Sequence, residues 1–99
     1  MNNFEMILFE YGKAVEKHPV FCSDMTTQDF GSIVKPSLEI ARILKKRTKT
    51  AEAVLCEEIL EAMDAYCDGR LDNCLSELAQ CGAVILRMME FVREQGGAL

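Results

Sequence analysis

Between Glu57 and Gln80 the chain reads EEILEAMDAYCDGRLDNCLSELAQ, and two helices joined by a sharp stop can be read from it. Ile59, Ala62, Met63 and Tyr66, with Leu55 just before them, recur at the three- and four-residue spacing that gathers side chains on one helical face. Asp68-Gly69-Arg70 supplies the stop, because glycine accepts the left-handed backbone that closes a helix at its C′ position. Beyond it Leu71, Cys74, Leu75, Leu78, Cys81, Gly82, Ile85 and Met89 repeat the spacing, with Leu78 at the centre of the stripe. The pattern predicts helices over about 50–67 and 71–94.

Upstream, Phe4, Ile7, Leu8, Tyr11 and Val15 mark an amphipathic helix over about 3–17 that ends before Pro19. His18 to Met25 reads as a connection. Thr26, with Asp29 three residues on, resembles a capping box opening a helix over about 27–47 through Phe30, Ile33, Ile40 and Leu44. Pro36 is expected to kink it or split it, since proline lacks an N–H and clashes with the preceding turn. Lys45-Lys46-Arg47-Thr48-Lys49 forms its basic end, where the helix dipole favours cations. The fold class predicted is all-α, a four-helix bundle in a single domain spanning residues 1–99.

Composition narrows the function classes. Hydrophobic residues make up 49% and charged residues 27%, ordinary globular usage. The apolar runs are too short to span a bilayer, so no membrane partner is expected. The net charge of −5 argues against a nucleic-acid binder driven by counterion release. No basic region precedes Met6-Ile7-Leu8-Phe9, which Glu5 and Glu10 flank, so a cytoplasmic location is expected. The 5 cysteines include no C-x-x-C pair and only 1 histidine accompanies them, which fits neither a disulfide framework nor a zinc site. Cys74 and Cys81, on one face with Leu78, read as small apolar side chains. Helices three and four carry apolar residues beyond one stripe (Ala53, Leu60 and Cys67; Ala83, Val84 and Phe91), so a homo-oligomer, a dimer at least, is expected.

The acids fall in a pattern. With Ile59 at the centre of helix three, Glu58 and Glu61 lie to one side, three residues apart, with the small apolar Val54 and Ala65 projecting between them. Glu77 and Gln80 take the same two angular positions on helix four. Two helices that each present an i, i+3 pair of oxygen donors beside their seam can enclose a hard divalent cation. Magnesium suits such donors, with manganese as the alternative, and no histidine or cysteine on these faces would recruit zinc. The bases Lys35, Arg42, Lys45, Lys46, Arg47 and Lys49 precede this acidic stretch, placing phosphate-attracting charge near it in sequence.

Glu57-Glu58-Ile59-Leu60-Glu61 followed by Glu77-Leu78-Ala79-Gln80 resembles the signature of the MazG-like all-α nucleoside triphosphate pyrophosphohydrolases, E-E-x-x-E and then E-x-x-D. It is closer still to small phage and bacterial members with E-L-x-Q, small and apolar residues, and a later Glu, here Glu90. The resemblance covers about Ala51 to Val92. It implies Glu58, Glu61, Glu77 and Gln80 as metal ligands and Glu57 and Glu61 as catalytic groups, Glu57 orienting the attacking water. It implies magnesium-dependent cleavage between the α and β phosphates of a nucleoside triphosphate, releasing a nucleoside monophosphate and pyrophosphate, in a dimer or tetramer with sites between subunits. Lys45, Lys46, Arg47, Lys49 and Arg87 are then the substrate-binding candidates, Arg87 across a subunit boundary. Phe21, in His18-Pro19-Val20-Phe21, reads as loop packing sooner than as a base-pocket aromatic. The departure at Gln80 keeps an alternative open: a non-catalytic helical protein of the same fold that serves oligomerisation or interaction.

Overall fold

A computed structural model of the chain describes residues 1–98, for Gln28 the backbone alone. Its elements are α1 (Asn3–Lys17), α2 (Gln28–Arg47), α3 (Ala51–Cys67) and α4 (Leu71–Glu94), with no strand among the described residues.

Local chemistry sets each boundary. Asn2 caps α1 through a reciprocal pair: its side chain accepts from the Glu5 N–H at 2.8 Å, and the Glu5 carboxylate accepts from the Asn2 N–H at 3.0 Å. At α2 the cap is Thr27, whose hydroxyl accepts from the Phe30 N–H, and not the expected Thr26. Thr27 has the extended backbone a cap requires, and its oxygen reaches the third residue of the helix. Thr50 caps α3 in the same way through the Ala53 N–H. Two helices end on glycines with positive φ, Gly69 at 75° and Gly96 at 100°. Around Gly69 the Arg70 N–H donates to the Ala65 carbonyl and the Gly69 N–H to the Tyr66 carbonyl, the paired bonds of a Schellman motif. Pro36 does not split α2, which runs unbroken through it. It stands on an exposed face, where the Ser32 carbonyl that loses its amide partner can turn to water.

The helices pack in the order α2–α3–α4–α1, with α3 between α2 and α4, and α1 against α4 alone. The bundle is therefore open. Its radius of gyration is 15.4 Å, against about 13 Å for a compact chain of this length. The core is made of small groups: Val34, Leu38 and Ala41 from α2, Ala62 and Ala65 from α3, Cys74 and Cys81 from α4. Tyr66 and Leu78 pack against Ala62, Ala65 and Cys74. Both cysteines serve as the small apolar side chains expected of them.

The buried face of α3 is not the one centred on Ile59, which is 40% exposed. It centres near Ala65, about 120° round the helix at 100° per residue, and takes in Glu57 and Ala62. Because α3 is gripped from two sides, the faces toward α2 and α4 are buried, Leu55, Met63 and Tyr66 of the expected stripe are half-buried, and Ile59 is left outside. On α4 the same rotation leaves Leu71 and Leu75 at 62% and 70% exposure.

Gly69 gives a local test of the α3–α4 turn. A Cβ there meets nothing within 4 Å, so a substitution acts through the backbone alone. Gly69→Ala is expected to destabilise by about 1–2 kcal/mol, and Gly69→Asn by less, since asparagine tolerates the left-handed region. Urea denaturation of the three proteins checks the order.

Candidate functional site

The seam between α3 and α4 contains the carboxylates singled out in the sequence. Glu57, Glu58 and Glu61 each offer an oxygen, and these oxygens lie within 4.8 Å of one another. Two follow from the helical repeat: Glu57 and Glu61 are one turn apart, and Glu58 and Glu61 flank the same groove. From α4, Glu77 stands on the buried face beside Cys74 and Cys81, so its carboxyl faces those of Glu58 and Glu61 across the seam. Gln80 lies further round α4 and is exposed. The structure thus brings Glu57, Glu58, Glu61 and Glu77 together and leaves Gln80 at the margin.

Oxygens of Glu57, Glu58 and Glu77 are hidden from solvent without a hydrogen-bond partner. Buried polar atoms are rarely left so, because their desolvation goes uncompensated. Glu57 has compensation of another kind: Lys45 Nζ sits 2.8 Å from its Oε2 in a close ion pair. Arg42 reaches Glu61 at 3.6 Å. Glu58 and Glu77 have no such cation in contact among the described residues.

The carboxyls respond differently to this environment. Lys45 beside it holds Glu57 below the usual carboxylate range, against the opposing effect of burial. Burial first, then the negative charge of Glu77, pushes Glu58 up. Glu61 is pushed up to about 7, by burial first and then by its neighbours Glu57, Glu58 and Glu77. Glu57 and Glu61 compete for one proton, and it resides on Glu61 because Lys45 stabilises the ionised form of Glu57. Burial and the nearby Glu58 and Glu77 also raise the Cys81 thiol, which keeps it protonated.

The bases anticipated as phosphate contacts divide into two groups. Lys45 is tied to Glu57, whereas Lys46, Arg47 and Lys49 at the end of α2 are exposed. Arg87 has an 82% exposed side chain and pairs with Glu90 at 3.3 Å. Lys35 and Arg70 bind Asp64 and Asp68 at 2.8–3.4 Å at the far end of α3. Lys35, Arg42 and Lys45 therefore form one edge of α2 that faces a row of acids on the antiparallel α3. That partnership went unread in the sequence. Its signal was present as helical spacing: bases at 35, 42 and 45 opposite acids at 57, 61, 64 and 68. Phe21, expected to pack, is 89% exposed on its connection, because no helix lies across that segment to cover it.

The Glu61 carboxyl gives the metal-free protein a pH signature. A carboxyl raised in the folded state binds more proton there than in the unfolded chain, so stability falls as pH rises from about 4.5 to about 7. Glu57 acts in the opposite sense, with stability present above its ordinary range and lost as pH falls through its lowered value. Glu61→Gln removes the first effect. In EDTA its stability relative to the parent is expected to climb by about 1–2 kcal/mol between pH 5 and pH 8, after discounting for water around a partly exposed group. Parallel stability curves for the two proteins over that range count against the clustered carboxylates.

No family model, curated protein or solved structure matches this chain.

Proposed function

We propose that this chain is a MazG-like nucleoside triphosphate pyrophosphohydrolase that works as a homo-oligomer, with the α3–α4 carboxylates as its magnesium or manganese site. The observation that carries the proposal is the pair of hidden, unpartnered oxygens of Glu58 and Glu77, one from each helix, facing each other across the seam. Like charges in a half-buried place repel unless a cation joins them, and these donors are hard oxygens suited to magnesium. Bound there, such an ion would supply positive charge for the phosphate oxygens of a nucleoside triphosphate cleaved between its α and β phosphates.

Within this reading Glu58, Glu61 and Glu77 would hold the metal, with Gln80 at the rim, where its amide can accept from a ligand or donate to a phosphate. Glu57 stays ionised beside Lys45 and orients the attacking water. Glu61 keeps a proton up to about 7 in the metal-free protein, and a bound cation would displace that proton and leave its carboxylate as a ligand. Lys45 steadies Glu57, which leaves Lys46, Arg47 and Lys49 as the phosphate-attracting arms. Arg87 contributes only from a neighbouring copy.

One observation favours the alternative, a non-catalytic helical protein of the same fold. Lys45 and Arg42 already neutralise part of the cluster, as in a structural ion-pair network, and Gln80 stands outside it. A pyrophosphate-release screen across ribo- and deoxynucleoside triphosphates, with magnesium or manganese, separates the two. The enzyme reading expects release by the parent, a loss of about 100-fold or more in Glu58→Ala and Glu77→Ala, and a smaller loss in Gln80→Ala. Activity that emerges only in Gln80→Asp supports the degenerate protein. No release from the parent or any variant ends the enzyme reading.

A further inference from the structure

We propose that the face formed by α1 and α4 is a self-association surface, that its occupant is a second copy of this chain, and that α1 is stable as a helix only in that assembly. The proposal rests on the homo-oligomer part of the reading above and on none of its hydrolytic chemistry.

The first observation is α1 itself. None of its residues is buried, and its apolar stripe is open to solvent, with Phe4, Leu8, Tyr11 and Val15 all exposed. A helix of 15 residues without a packed face is marginal, since helices shorter than about 15 residues gain most of their stability from tertiary packing. α1 rests on α4 beside two apolar hollows. One, of about 360 Å³, has Met6, Leu55, Ile85, Met88 and Val92 among its walls. The other, of about 420 Å³, has Met6, Ile7, Tyr11, Ala14 and Met89. Among the described residues, polar contacts tie its first turn to α4, where Arg93 donates to the Asn3 side chain, the Met1 carbonyl and the Met6 sulfur. Ile85, Phe91 and Val92 extend the apolar surface along α4.

The second observation is quantitative: the surplus surface of the whole chain matches the area that a second copy would cover. The accessible surface is 7624 Å². A compact monomer of this mass exposes about 5,700 Å², so the open bundle carries a surplus of roughly 1,900 Å². Obligate homodimers bury about 1,000–2,500 Å² from each chain. Pairing two copies removes equal surpluses from both at once, through the isologous contact that two-fold symmetry provides. The exposed stripe of α1 carries no charge, so the chain's net charge of −5 does not oppose the contact at its centre.

The test uses the full chain in EDTA without nucleotide, so a failed hydrolysis assay has no bearing on it. Light scattering and concentration-dependent hydrogen exchange are measured together. The proposal expects a mass of at least twice 11.1 kDa at micromolar concentration. It also expects protection of amides 3–17 that rises with concentration. Leu8→Glu with Val15→Glu, at two exposed positions, is expected to give the monomer and abolish α1 protection while α3 and α4 stay protected. Ile40→Glu on α2 serves as the comparison and is expected to keep both the assembly and α1 protection. A folded wild-type monomer overturns the proposal. So does an oligomer whose α1 stays unprotected, or one that Ile40→Glu dissociates and the α1 pair does not.

Discussion

Coulomb repulsion among Glu57, Glu58, Glu61 and Glu77 is the constraint on which the rest of the seam depends. Two ionised carboxylates about 5 Å apart at an effective dielectric near 20 repel by about 3 kcal/mol, and the oxygens of Glu57, Glu58 and Glu61 lie within 4.8 Å of one another. The chain relieves this in two visible ways. Lys45 and Arg42 reach in from α2, and Glu61 retains a proton up to about 7. Glu58 is also pushed up, and neither it nor Glu77 has a basic side chain in contact among the described residues, so an oxygen of each stays hidden and unpartnered.

Small residues make that geometry possible. Ala62 and Ala65 let α2 and α4 close on α3 from both sides, and Cys74 and Cys81 do the same from α4. A larger side chain at these positions would widen the seam and separate Glu77 from Glu58. The same arrangement leaves the bulky stripe of Ile59, Leu71 and Leu75 outside, so the tightness of the site and the openness of the surface share one cause.

Much of this was legible in the sequence because helix boundaries are written in local chemistry. Thr50, Gly69 and Pro19 fixed element ends within a residue or so, and the i, i+3 spacing of Glu58 and Glu61 placed two carboxylates on one edge. What a single helix wheel omits is the neighbour on the other side. Ile59 looked central because it is the most apolar point of α3, yet burial there is decided by two partners at once, and the acids faced inward because α2 brought Lys35, Arg42 and Lys45 to meet them. The cap at Thr27 in place of Thr26 reflects the narrower fact that neighbouring threonines offer the same oxygen, and only the backbone angle chooses between them.

The most direct measurement of the central claim is a titration of the protein with manganese, following the free ion by its paramagnetic resonance signal. The account predicts saturable binding displaced by magnesium, unchanged in Lys35→Ala, and lost when Glu58→Gln and Glu77→Gln are combined. Manganese that remains wholly free at millimolar concentration, or that binds the double variant as well as the parent, would contradict it.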